Sequence, residues 1–341
     1  MMKKILVLAP VLFAAQLHAA DSKPATHRYL VERSFPAGAL KGLDAALFVG
    51  NLRREDLGFK RPQARADLAP FVARALEKPL DGAAELMELH AGATADFPAT
   101  LRKALNATYG KESVSASTAP IDAEVPEIVP QEYRDVVGAL AKAVLRSSAL
   151  VRAATENLTA DEKRDVIESA PRWMDESPEA KFDFVRRPQT SWSELMTLVN
   201  KVDLPKLRFA ARELADAVDA QLPKLKRLSE DAPFTGQIRF TVGKMNCVLA
   251  GLGPNEHVDR DAALTIDLGG NDEYRGRCGA GVGYASLAID LGGSDRYDVP
   301  DLSSGAGILG VGLAYDLGGD DVFRGKSLCF GAGIVGVAPS A

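Results

Sequence analysis

The sequence has few cysteines and histidines, and this shortage argues against several classes of protein. Three cysteines occur in 341 residues, Cys247, Cys278 and Cys329, and their spacing matches no zinc motif. An odd number leaves at least one thiol unpaired, so we expect small buried apolar residues, with a single Cys278–Cys329 disulfide as the alternative. Only four histidines occur, and there is no His-Glu-x-x-His or Gly-x-Ser-x-Gly motif. The sequence therefore offers no common zinc-protease or serine-hydrolase pattern.

Basic residues are also scarce where a nucleic-acid partner would need them. The chain has a formal net charge of −5, and residues 246–341 carry 13 acids against six lysines and arginines. Nucleic-acid binding needs a basic face, so we expect no nucleic-acid partner. The acidic balance instead suits a hard cation such as calcium, which prefers carboxylate oxygens.

Long hydrophobic runs are missing, apart from one short run at the N-terminus. Lys3 and Lys4 precede an apolar stretch from Ile5 to Ala15, which is too short to span a bilayer. The small residues Ala19 and Ala20 follow it, so residues 1–20 are predicted to be a signal peptide. We expect an exported protein, in the periplasm, on the cell surface or outside the cell, without a transmembrane segment after cleavage. An uncleaved N-terminal anchor is the alternative.

The next part of the chain has mainly helical patterns. Residues 21–129 are predicted to be a partly helical N-terminal region that ends in a Ser- and Pro-rich linker at 108–129. Residues 130–236 are predicted to be a helical domain, with an amphipathic helix over 131–158. Capping-box patterns at Thr159–Glu162 and Ser191–Glu194 predict two further helix starts. A last helix is predicted from about Pro205 to Leu222.

From residue 237 onward the pattern is typical of short strands and glycine-rich turns, and the most informative feature is a repeat. Three blocks share two aspartates, a Gly-Gly pair and an aromatic residue: Asp267-Leu-Gly-Gly-Asn-Asp272-Glu-Tyr274, Asp290-Leu-Gly-Gly-Ser-Asp295-Arg-Tyr297 and Asp316-Leu-Gly-Gly-Asp-Asp321-Val-Phe323. Glycine strips that begin at Gly279, Gly305 and Gly331 recur every 26 residues. A fixed period of this length predicts a parallel β-solenoid over 237–341. The next first aspartate would fall one position past Ala341, so we expect the repeat to be incomplete, as in a truncated sequence.

The repeat also predicts where the chemistry lies. In a parallel stack, equivalent residues are about 4.8 Å apart, so the aromatic residues are expected to form an inner ladder and the glycine corners an outer one. Stacked aspartates would repel one another unless solvent, backbone N–H groups or cations relieve the charge. The candidate calcium ligands are Asp267, Asp272, Asp290, Asp295, Asp316 and Asp321. Hydrogen-bonded Asp/Gly turns explain one aspartate per corner and explain the second less well. The segment Glu256-His257-Val-Asp259 is expected to be a solvated loop before the first block, with a contribution to a metal or acid–base site as the alternative.

These blocks resemble a group of uncharacterised exported bacterial proteins with tandem Asp-Leu-Gly-Gly-(Asn/Asp)-Asp-x-Tyr units after a helical N-terminal region. The match covers roughly residues 244–341, and what it implies is architecture and export. A more distant resemblance is to the calcium-binding RTX repeat, Gly-Gly-x-Gly-x-Asp-x-apolar-x. The blocks share its Gly pair, its Asp and the following apolar residue, but lack its third Gly and its nine-residue period.

The sequence thus predicts an α+β protein in two parts, a mainly helical N-terminal domain and a parallel β-solenoid. The predicted function is that of an exported structural or binding protein with calcium at the Asp/Gly corners, in contact with a cell surface or polysaccharide. One alternative is a polysaccharide-acting enzyme with a carboxylate site on the solenoid. A catalytic pair of carboxylates normally occurs once in a chain, whereas these aspartates recur in every block. This repetition argues against the enzyme. A second alternative is an interaction protein in which the helical region binds a partner and the solenoid is only a spacer.

Overall fold

The computed structural model describes residues 123–173 and 192–334, together with isolated positions (43, 44, 47, 81, 83–85, 121 and 336). Nearly all of them belong to the compact unit that contains Ser113–Ala341. The predicted signal peptide and almost all of the predicted N-terminal region, 21–129, lie outside the described residues.

Helices occupy the first half of the main described segments. Within residues 123–173 and 192–334 they are α1 (Gln131–Ala154), α2 (Ala160–Trp173), α3 (Trp192–Val199) and α4 (Leu204–Asp231). The predicted helix over 131–158 is confirmed, with its C-cap at Thr155. Its apolar stripe, which includes Val137, Leu140 and Val144, is fully buried, so packing of this face stabilises the helix.

The start of α2 confirms the predicted capping box. The backbone N–H of Glu162 donates to Oγ1 of Thr159 at 3.2 Å, and the backbone N–H of Thr159 donates to Oε2 of Glu162 at 2.8 Å. These two bonds satisfy backbone donors that a helix start leaves free. In the second predicted box, Ser191 lies outside the described residues.

The last helix is longer than the sequence pattern predicted. The predicted helix ended at Leu222, yet α4 continues to Asp231, past Pro223, which cannot donate a backbone hydrogen bond. The turns after the proline are held by burial of Leu225. The Tyr133 hydroxyl lies 2.9 Å from the Leu228 carbonyl oxygen and 3.1 Å from that of Ala232. This contact satisfies carbonyl groups that a helix end leaves free.

Residues 237–334 form three sheets, and the chain visits them in turn. The first sheet has the order β1-β2-β4-β7-β10, the second β11-β8-β5-β3 and the third β12-β9-β6. The strands are β1 (Gln237–Val242), β2 (Met245–Ala250), β3 (Glu256–His257), β4 (Ala262–Asp267), β5 (Glu273–Tyr274), β6 (Gly281–Val282), β7 (Ala285–Asp290), β8 (Arg296–Val299), β9 (Gly307–Ile308), β10 (Val311–Asp316), β11 (Val322–Gly325) and β12 (Gly333–Ile334).

Equivalent residues of the blocks are paired in register. Asp267 pairs with Asp290, which pairs with Asp316. Tyr274 pairs with Tyr297 in the second sheet. These pairings are parallel, as the repeat predicted. The exception among the named strand pairs is β1 with β2, which is an antiparallel hairpin at the beginning of the first sheet.

The helices α1 and α4 pack against each other and against strands β7 and β10 of the first sheet. The contact includes a polar bond, since the Ala285 N–H donates to Ser148 Oγ at 3.1 Å. Strands β4 and β7 are buried along their whole length, which agrees with their near-continuous apolar sequences. Within the described residues, no helix has both the length and the apolar character that crossing a bilayer requires.

The cysteines are all free thiols, so the alternative of a Cys278–Cys329 disulfide is not adopted. Cys247 and Cys278 are buried, as expected of small apolar residues. Cys278 packs against Tyr274 and Tyr297 in the core between the sheets.

Candidate cation site

The corners between the first and second sheets bring the aspartates together. Strands β4, β7 and β10 each end at the first aspartate of a block, and a Leu-Gly-Gly turn follows. Gly270 and Gly293 have φ angles of 154° and 157° and form a parallel bridge with each other. A Cβ atom at Gly293 would overlap the carbonyl oxygen of Gly270. Glycine is therefore required for successive corners to approach this closely.

The first aspartate of each block closes its own corner. Oδ1 of Asp267 accepts the Gly269 N–H at 2.9 Å. Asp290 and Asp316 make the same contact with the glycine two residues ahead, at 2.9 and 3.4 Å. These are the local side-chain-to-backbone bonds by which aspartate stabilises turns.

The second aspartate links one corner to the corner before it. Oδ1 of Asp272 accepts the Asn255 N–H at 2.5 Å. Oδ1 of Asp295 accepts the Asp272 N–H at 2.7 Å, and Oδ1 of Asp321 accepts the Asp295 N–H at 2.8 Å. Both aspartates of a block thus have a structural hydrogen bond, which corrects the expectation that turn chemistry would explain the second one poorly.

Aromatic side chains form the inner ladder that the sequence predicted. The Tyr274 and Tyr297 rings stack with centroids 4.3 Å apart, and Phe323 follows Tyr297 at 4.6 Å. The Tyr274 hydroxyl donates to Oδ2 of Asp290 at 2.6 Å, and the Tyr297 hydroxyl lies 3.3 Å from the same oxygen. The two tyrosines therefore hold Asp290 in place as well as filling the core, whereas Phe323 at the end of the ladder is 52% exposed.

His257 begins this ladder, so the expectation of a solvated loop is wrong for it. The imidazole is 1% exposed and stacks on Tyr274 at 4.3 Å. Its Nε2 donates to Oδ2 of Asp267 at 2.6 Å, and Nδ1 lies 3.2 Å from the Gln237 amide nitrogen. The imidazole thus takes the place that a tyrosine hydroxyl takes beside Asp290.

Two groups of carboxylates remain close together. Oxygens of Asp272, Asp290 and Asp295 all lie within 4.8 Å of one another, and so do oxygens of Asp295, Asp316 and Asp321. Each group is made of the second aspartate of one block and both aspartates of the next. These groups can hold a metal ion, since oxygens that surround one cation are separated by such distances.

Several carboxylate oxygens in these groups have no partner from the protein. Asp272 and Asp295 are 1% and 2% exposed. Their Oδ2 atoms are buried and accept no hydrogen bond. A buried polar atom without a partner costs free energy. These two oxygens therefore point to a group, either a proton or a cation, that the protein does not itself supply.

The pKa values of the cluster show how unfavourable its full ionisation is. Burial is the largest cause, and the neighbouring negative charges add to it. The pKa is raised to about 6 for Asp272, to about 8 for Asp295 and to about 6 for Asp316. Burial and the charge of Asp267 also raise the pKa of Asp290, although the Tyr274 hydrogen bond opposes this.

The structure brings five of the six predicted ligand residues into the two groups. The sixth, Asp267, belongs to neither, since its two oxygens accept from Gly269 and His257. Asn255 and His257 were not expected at the site, yet β3 pairs with β5 and so places them beside Asp272 and Tyr274. The available signal was the segment Asn255-Glu-His257, which matches Asp272-Glu-Tyr274 in polar, acidic and ring-containing residues.

Comparison with known proteins gives no match. No protein-family model matches the chain, and neither a curated protein nor a solved structure matches it. The function must therefore be argued from the residues and their geometry.

Proposed function

We propose that this chain is an exported structural or binding protein whose residues 237–341 form a parallel β-solenoid with calcium bound at its Asp/Gly corners. The observation that carries the proposal is the pair of buried, unpartnered oxygens of Asp272 and Asp295 within groups of close carboxylates. A cation between these oxygens would replace their missing hydrogen bonds and would offset the repulsion between the aspartates.

The solenoid interpretation is supported by the strand order. From β4 onward the chain passes through the three sheets in sequence and returns to each one beside its previous strand. Gly270 and Gly293 pair at the corner, as do Gly281 and Gly307 in the third sheet. In such a stack each repeat contacts mainly its neighbours, and the result is an extended surface suited to presentation or binding.

Calcium is the proposed ion because it tolerates flexible, carboxylate-rich coordination. Ca²⁺ takes oxygen ligands at about 2.3–2.6 Å, so oxygens on opposite sides of the ion are about 4.6–5.2 Å apart. Mg²⁺ holds oxygens at about 2.0–2.1 Å and requires a stricter octahedron. The oxygens of each group lie within 4.8 Å of one another, which is compatible with a calcium coordination sphere. Acid-only groups without histidine or cysteine also suit a hard cation.

Burial of the carboxylates favours this role over polysaccharide hydrolysis. A glycosidase needs two carboxyl groups on either side of a bound sugar, with access for substrate. Asp272, Asp290 and Asp295 are each at most 3% exposed. Their oxygens are therefore placed for an ion and not for a sugar.

Export is part of the proposal and is supported by the Lys3-Lys4 pair and the short apolar segment after it. It is tested by fractionating cells that produce the full chain and sequencing the N-terminus of the product. Export predicts a product in the periplasmic or extracellular fraction that begins at or next to Ala20. A cytoplasmic product that retains Met1 contradicts it.

Calcium binding is tested by calorimetric titration of Ca²⁺ into the chelator-treated protein, with thermal melts in parallel. The proposal predicts saturable heat and a raised Tm, since a ligand that binds the folded state stabilises it by mass action. A matched control is Asp298→Asn, which removes a half-exposed carboxylate that pairs with Arg296 at 3.6 Å outside both groups. This control should titrate as the parent does. Absence of both heat and Tm shift in the parent protein would contradict calcium binding.

A further inference from the structure

We infer that residues 267–321 bind two cations in a row, with Asp295 as a ligand shared by both ions. This inference rests on the proposed cation binding and adds its stoichiometry and its connectivity. The first site is the group Asp272, Asp290 and Asp295, and the second is the group Asp295, Asp316 and Asp321. Asp295 is thus the residue common to both.

The repeat explains why the sites are related by one block. The second aspartates lie at the same position of successive corners, linked through the bonds from the Asp272 and Asp295 N–H groups. Each of these bonds uses Oδ1 only. At Asp295, Oδ2 is buried and accepts no hydrogen bond from a protein donor, and oxygens of this carboxylate lie within 4.8 Å of those of Asp290 in one group and of Asp316 in the other. Oδ1 keeps a second lone pair beside its N–H bond, so the two oxygens of Asp295 can each face a different ion.

Charge supports two ions over one. The two groups together contain five aspartates, which carry five negative charges when ionised. One divalent ion would leave three of these charges uncompensated in a mostly buried place, whereas two ions leave one. Since equivalent positions in adjacent parallel strands are about 4.8 Å apart, the two ions are expected to be separated by about this distance.

The corner before the first site, which contains Asn255, lacks the free carboxylate oxygens that an ion would need. Asn255 stands at the position of a second aspartate, and its amide group donates to the Gly251 and Gly253 carbonyl oxygens at 2.9 and 2.8 Å. Asp267 has its free oxygen occupied by His257 at 2.6 Å. An amide thus stands in place of one carboxylate, and an imidazole occupies the remaining oxygen of another. The expected number of ions in this segment is therefore two, and not three.

The inference is tested by counting bound calcium in the full-length mature protein and in three amide variants. Equilibrium dialysis should give two ions for the parent, one for Asp272→Asn and one for Asp321→Asn. Asp295→Asn should weaken both sites by at least tenfold. The Asp298→Asn control should retain two ions. Circular dichroism of each variant reports whether it is folded, and Asn can still accept the backbone hydrogen bond at position 295.

A second measurement uses the parent protein alone, so it does not depend on any variant folding. Mn²⁺ prefers the same oxygen ligands, and paramagnetic resonance of the protein loaded with it should show a spin-coupled pair. One ion per chain, three ions per chain, magnetically isolated Mn²⁺, or an Asp295→Asn variant that keeps one site at full affinity would each overturn the shared-ligand inference. Any of these results would leave cation binding standing, whereas a parent protein that binds no ion would remove the proposed function itself.

Discussion

Replacement of Gly293 by alanine tests the stacked corners directly. Gly293 has a φ angle of 157°, and its amide donates to the Gly318 carbonyl oxygen at 2.8 Å. The adjoining Gly292 carbonyl oxygen accepts the Gly270 N–H at 3.2 Å. A Cβ atom at position 293 would overlap the Gly270 carbonyl oxygen, so the two corners would have to separate.

The size of the effect follows from what this separation breaks. Strained backbone costs about 1–3 kcal/mol at a position that glycine favours. Each of the two corner hydrogen bonds contributes about 1 kcal/mol net, so their loss raises the expected destabilisation to about 3–5 kcal/mol. In a folding unit of this size, 1 kcal/mol shifts Tm by about 2–4 °C. The expected decrease in Tm is therefore about 6–20 °C.

The assay is a thermal melt followed by circular dichroism, with urea unfolding to give the free energy. Gly243→Ala is the matched control, since it makes the same chemical change at a φ angle of 62° where a Cβ atom would meet nothing within 4 Å. That control should cost about 1–2 kcal/mol, the usual penalty for a left-handed residue. If Gly293→Ala is no more destabilising than Gly243→Ala, the corners are not stacked as described.

Three further predictions follow from the core of the β region. Tyr274→Phe removes the donor to Asp290 Oδ2 and should lower the free energy of unfolding by about 1.5–3 kcal/mol, whereas Tyr284→Phe, which lies outside the aspartate groups, should change it far less in the same urea titration. Burial raises the pKa of Asp295 to about 8. The folded metal-free protein therefore binds more protons than the unfolded chain between about pH 4 and pH 8, and its Tm should fall as the pH rises through this window. A Tm that rises over the same range would contradict the burial of the aspartate groups. Burial raises the pKa of the Cys278 thiol to about 12, so iodoacetamide should label it at pH 8 in denaturant and not in the native protein, as mass spectrometry would show.

The repeat made much of the β region predictable from the sequence. Each strand that ends in an aspartate was expected from the apolar residues before Asp267, Asp290 and Asp316, and the structure confirms these strands and their parallel pairing. The aromatic ladder followed from the aromatic residue that stands seven positions after the first aspartate of each block, at Tyr274, Tyr297 and Phe323. A fixed period specifies such features because it places the same residue type at the same point of every level.

Other features depend on contacts that the pattern does not contain. His257 could not be recognised as a ladder residue from period alone, because its block lacks both aspartates and begins with Ala250 where the later blocks have Asp267. The continuation of α4 past Pro223 depends on tertiary contacts of Leu225 and Tyr133, which local propensity does not record. The structural role of the second aspartate depends on the distance between corners, which exists only once the levels are stacked.

The most direct test of cation binding at the stacked corners is a crystal structure of the protein grown with calcium. The account predicts strand β7 between β4 and β10 in a parallel sheet, with a cation coordinated by oxygens of Asp272, Asp290 and Asp295. Contradiction would come from density that shows these carboxyl groups bonded only to one another, to backbone N–H groups or to water, with no ion at saturating calcium.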